Sequence, residues 1–139
     1  MRLSEKDISI DHFVPWSYAA HDEFWNLHPT TRSINSSKNN NLPNWNVYFP
    51  QLVKLEFISY KMMWKYDALY DKFEKCAKEH LNDNVVRRKI YQEGQDFISF
   101  SGALEEILQP VYQSAKNCRF KDWIYKDVKN NNESNNILL

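Results

Sequence analysis

An acid and an imidazole stand side by side near the start of the chain as Asp11-His12. Asn26 follows fourteen residues past the histidine, Asn35 nine further on, and Lys38 three after that. A carboxylate, a histidine and an asparagine are what metal-assisted phosphodiester hydrolysis needs. Hard oxygen ligands hold Mg²⁺, while an imidazole takes a proton from water near neutral pH. Arg32, Asn35 and Lys38 are spaced three apart, so a helix over them would carry all three on one face. That face would offer a neutral oxygen ligand flanked by two cations, a cradle for a phosphate beside a metal.

Such residues act together only if short elements bring them together. The alternation through Asp7-Ile8-Ser9-Ile10-Asp11-His12-Phe13 predicts a strand ending before Pro15. Neighbours in a strand point to opposite faces, so the strand must break or twist at His12 for both side chains to reach one site. Trp25 to His28 predicts a second strand, with Pro29 at an edge or a strand end. Thr31-Arg32-Ser33 supplies capping hydroxyls for a short helix to about Asn39, and the run to Pro43 is a polar stop.

The rest reads as helical. Pro50 suits a first helical turn, and Leu55, Ile58, Met62, Tyr66, Leu69, Phe73 and Cys76 then form one continuous apolar stripe. Val53, Phe57, Tyr60 and Trp64 add a second stripe along its first half. Asn82-Asp83-Asn84 breaks the helix, and shorter helices follow around Val85–Gln92 and Gly102–Asn117, with Pro110 kinking or splitting the latter. The tail from Lys129 is polar and expected to be disordered.

The whole chain has 139 residues, with 18 Lys+Arg against 18 Asp+Glu. Zero net charge excludes a protein that holds nucleic acid by bulk positive field alone. A hydrophobic share of 42% excludes wholesale disorder. No apolar run approaches the ~20 residues of a membrane span, so no membrane partner is expected. Two cysteines, Cys76 and Cys118, cannot make a disulfide scaffold and suit a reducing cytoplasm.

The spacing Asp11-His12, Asn26, Asn35, Lys38 and Pro43, with Val14-Pro15 and Thr31-Arg32-Ser33, resembles that of the HNH endonucleases, which share the ββα-metal fold. More narrowly it is similar to the HNH domain of the RNA-guided type II CRISPR effectors. The string Tyr112 to Asn117, with Phe120 and Trp123, also resembles the helical extension of some bacterial stand-alone HNH proteins. The resemblance implies an α+β protein: a ββα-metal hairpin-helix over residues 1–47, a mostly α-helical extension over 48–128 packed against it, and a tail over 129–139. It implies that His12 is the general base, and that Asp11 and Asn35 ligate one Mg²⁺ or Mn²⁺. Asn26 would support the catalytic loop. Lys38 would contact a phosphate near the cut, and Arg32 would bind substrate. DNA, double-stranded, would be cut to 5′-phosphate and 3′-hydroxyl ends, in a bacterial defence or restriction setting. Two departures qualify it. Asn35 stands where many HNH enzymes have a second histidine, and no Cys-x-x-Cys knuckle is present, so no structural zinc is expected.

Blander roles compete for the remaining residues. His21 and His28 read as surface or hairpin-packing residues. Cys76 and His80 are half a zinc site at best, and a core thiol is the expectation for Cys76. Arg87-Arg88-Lys89 reads as a solvated helix end. The aromatics interleaved with basic residues after 110 could stack on nucleic acid, but helix packing explains them equally. Two other readings stand beside the enzyme. One is a catalytically silent HNH scaffold that binds nucleic acid or protein through its helical part, by self-association or by docking to a larger effector. The other makes the chain the nuclease end of a longer protein.

Overall fold

A computed structural model describes residues 7–19, 22–80 and 84–126. Strand β1 (Ile8–His12) pairs antiparallel with β2 (Leu27–Thr31), from Ile8 opposite Thr31 to His12 opposite Leu27. Between them lie α1 (Trp16–Ala19) and a 3-10 turn, Phe24–Asn26. Helix α2 (Arg32–Lys38) leaves β2 directly, because Thr31 Oγ1 accepts from the Ile34 N–H at 3.2 Å and caps it. Then come β3 (Leu42–Pro43), α3 (Trp45–Lys65), α4 (Asp67–His80), α5 (Asn84–Ile90), α6 (Phe97–Asn117) and β4 (Asp122–Trp123). β4 returns to pair in parallel with β3. The protein is α+β, with its strands short and its helices dominant.

The strand ribbon carries its polar face inward. Ser9 and Asp11 lie on the side of α2, while Ile8 and Ile10 are exposed on the other. Asn35 Nδ2 donates to Ser9 Oγ at 2.8 Å and ties α2 to this polar face. The second strand starts later than the aromatic run Trp25-Asn26 implies, because those residues are spent in the 3-10 turn that brings Asn26 inward. Pro29 lies inside β2 opposite Ile10. Both strands of a two-stranded ribbon are edges, where its missing N–H is tolerated.

One core joins the hairpin to the helices. Phe13 and Val14 are fully buried with Tyr48, Leu52, Leu104 and Leu108, and Tyr112 is buried beside them. The Phe13 ring meets Trp45 edge-on at 6.2 Å, and Trp45 stacks on Phe49 at 4.2 Å. The C-terminal segment locks the arrangement. Tyr112 Oη donates to Pro43 O at 2.8 Å, Trp123 Nε1 to Ser37 Oγ at 3.2 Å, and Tyr125 N–H to Tyr48 Oη at 2.7 Å. Tyr112 and Trp123 therefore belong to the core, and Phe120 and Tyr125 pack against it.

Several further expectations change. The long helix starts earlier, at Trp45, because Asn44 Oδ1 caps it by accepting from Val47 N–H, which leaves Pro50 inside the helix. It also breaks at Tyr66, whose backbone is extended, before Asp67 opens α4 with a favourable acid in its first turn. The buried face is the aromatic one, Phe49, Leu52, Val53, Tyr60 and Met63, held against α6 by Tyr60 and Phe57 on Phe100. Ile58 and Met62, from the stripe expected to be core, are 56% and 45% exposed. Helix α6 begins at Phe97, capped by Asp96, and runs through Pro110 without splitting. Cys76 is exposed rather than a core thiol. His21 and the tail from residue 129 lie outside the described residues, as does the side chain of His80. No helix among the described residues is long and apolar enough to cross a membrane.

Candidate active site

The site forms where β1 ends. Asp11 lies opposite His28 in the ribbon, and after His12 the chain bends, with Phe13 N–H donating to Asn26 O at 2.8 Å. Asn26 holds this bend through both ends of its amide. Its Oδ1 accepts from Val14 N–H at 2.8 Å and its Nδ2 donates to Val14 O at 3.0 Å. The strand end and bend let Asp11 and His12 line one cleft of about 290 Å³, although alternation alone would separate them. Pro15, Trp16, Asn35, Ser36, Asn39 and Asn40 complete its wall.

Asn26 is itself 1% exposed and does not line the cleft. Its place is beneath the bend. Replacing it with alanine would leave the Val14 N–H and C=O unpaired in the interior, at a cost of about 3 kcal/mol. Urea unfolding of Asn26→Ala measures this, and a loss of under ~0.5 kcal/mol would remove the brace.

Lys38 departs from the outward phosphate cradle that spacing predicts. It is 1% exposed, on the inner face of α2 with Ile34. Its Nζ donates to His12 O at 2.7 Å and stands 3.0 Å from Asp11 Oδ2. Four residues apart, Ile34 and Lys38 share a face, and the apolar member decides which way that face turns. Burial pushes the Lys38 ammonium down from its ordinary value, opposed by the Asp11 charge and hydrogen bond. Arg32 is exposed on the first turn of α2.

His28 lies under the same acid. It is buried, with Nε2 3.8 Å from Asp11 Oδ2, its ring edge-on to Phe13, and Nδ1 donating to Pro29 O at 3.3 Å. Burial lowers its pKa to about 4, against the raising effect of Asp11. An unfolded chain protonates this imidazole first, so the stability it lends is present above pH ~6.5 and is lost as pH falls toward 4. The change is about 3 kcal/mol. Urea unfolding at several pH values reads it, and His28→Gln should flatten the profile across that window. An unchanged slope in the variant would refute the assignment.

His12 reaches a partner that spacing does not reveal. Its Nε2 is 2.6 Å from Asp22 Oδ1, with the imidazole 21% and the carboxylate 44% exposed. Asp22 lies in the β1–β2 connection, whose path no periodicity encodes. An acid in the connection after the histidine was the one available signal.

A hard divalent cation fits the donor set. Asp11 lines the cleft as a charged, hard oxygen donor, with its Oδ2 buried 3.0 Å from Lys38 Nζ. The Asn35 amide spends its NH₂ on Ser9, which leaves its oxygen as the donor atom. Among the described residues no group of three or more His, Cys, Asp and Glu side chains is placed to hold a metal. An acid and an amide would leave the remaining positions to water and substrate oxygens, as Mg²⁺ usually does. No curated protein and no solved structure matches the chain. Residues 1–44, which carry the ribbon, α2 and every residue lining the cleft, match the family model for HNH endonuclease, so the part of the chain that forms this site is similar to nucleases that act on nucleic acid.

Proposed function

We propose that the protein is a metal-dependent endonuclease that hydrolyses DNA phosphodiester bonds. The observation that carries this reading is the meeting of Asp11, His12 and Asn35 in one cleft. Asp11 and Asn35 would hold one Mg²⁺, or Mn²⁺. That ion would supply charge neutralisation at the phosphate and the leaving 3′ oxygen. His12 takes the proton from the attacking water. The new oxygen–phosphorus bond forms as the bond to the 3′ oxygen breaks, and that oxygen takes a proton from solvent water, which leaves 5′-phosphate and 3′-hydroxyl ends. Lys38 lies inside, where it pairs with Asp11 and donates to the His12 carbonyl. Arg32, exposed on α2, contacts the substrate phosphate in place of Lys38. Double-stranded DNA as target, a bacterial defence or restriction setting, and kinship with the CRISPR-effector branch rest on the spacing resemblance alone.

Supercoiled plasmid tests the reading directly. Nicking in Mg²⁺ that stops with EDTA is the expected result. A chain that neither nicks nor binds Mg²⁺ or Mn²⁺ would instead be the silent scaffold.

A further inference from the structure

We propose that Asp22 is a positioning residue for the general base, an inference that rests on the nuclease reading above. An ionised carboxylate can only accept, so the 2.6 Å contact requires the proton on His12 Nε2. A neutral imidazole carries one such proton, and Nδ1 is therefore left as the ring atom that can take another. Nδ1 accepts no hydrogen bond from any described residue. His12 lines the cleft and Asp22 does not, so the carboxylate grips the ring from outside the space a phosphate would fill. Asp22 thus fixes both the tautomer and the swing of the ring about its side-chain bonds. The backbone beneath is already held, by Lys38 on the His12 carbonyl and by Asn26 on the bend. Among the described residues no other polar side chain holds the ring.

The grip and the cut can be read separately. In metal-free protein, proton NMR should show a downfield His12 Nε2–H resonance, assigned by its loss in His12→Ala. Asp22→Leu should lose that resonance. With Mg²⁺ and plasmid, Asp22→Leu should lower kcat by about 10²-fold with KM unchanged, since the water-activating group is misdirected while substrate contacts remain. Asp22→Glu, which restores an acceptor, should recover much of the loss. Asp22 is nearly half exposed, so its variants are expected to fold, and thermal melts check this.

The proposal is overturned if Asp22→Leu keeps the resonance or nicks as fast as the parent chain. It is equally overturned if KM alone rises, or if Asp22→Glu is no better than leucine. Should the parent chain itself fail to nick while the resonance still depends on Asp22, the nuclease reading is what fails. The catalytic purpose falls with it, and the hydrogen bond stands.

Discussion

His12→Ala should nick plasmid about 10²–10⁴-fold more slowly than the parent chain, the usual worth of a positioned general base. The variant should lose little stability. The imidazole is a fifth exposed, and among the described residues its one polar side-chain contact is with a half-exposed carboxylate. Nothing in the core leans on it, and the Lys38 and Asn26 contacts at the bend go to backbone that alanine retains. A large rate loss with an unchanged melting temperature therefore separates chemistry from folding. Undiminished nicking by His12→Ala would remove the imidazole from the reaction.

Lys38→Met should show the reverse pattern, with stability falling first. Removing the ammonium leaves the Asp11 carboxylate buried beside a neutral His28 and strips the His12 carbonyl of its donor. Breaking a buried pair from one side costs about 3–5 kcal/mol. Converting the other partner as well, in Asp11→Asn with Lys38→Met, should recover part of that loss, because no buried charge is then stranded. A surface lysine touching phosphate would behave differently. Its replacement would leave urea unfolding nearly unchanged and would instead flatten the salt dependence of DNA binding. Denaturation of the three proteins decides between the two places for this amine.

The contrast between these residues shows what the sequence makes legible. The offsets that join Asp11, His12, Asn26 and Asn35 are set by a short ribbon and a capped helix, elements whose geometry follows from local pattern. Their convergence on one cleft and one bend follows from that geometry. The inward turn of Lys38 is not local. A helix of seven residues with charges and hydroxyls on most sides gives no strong moment, and only Ile34, one turn earlier, marks the inner face. Asp22 was hidden because a loop path depends on everything it crosses.

The same division runs through the fold. Helix existence was plain from the apolar spacing between 50 and 80, but the break at Tyr66 was not, since the stripe keeps its spacing across it. Nor could the pattern choose between two apolar stripes. The choice fell to Phe100 on α6, forty residues away, which packs on Phe57 and Tyr60. The two-residue strands β3 and β4 carry no periodic signal at all. They exist because the aromatic residues Tyr48, Tyr112 and Trp123 draw the segment around Asp122 back onto α3 and β3.

The most direct measurement is anomalous diffraction from a crystal soaked in Mn²⁺. One peak should appear in the cleft between the Asp11 carboxylate and the Asn35 amide oxygen, beside the His12 ring, and it should vanish in Asp11→Ala. A cleft that stays without manganese at saturating soak, or a peak indifferent to Asp11, would contradict a metal-dependent cut at this place.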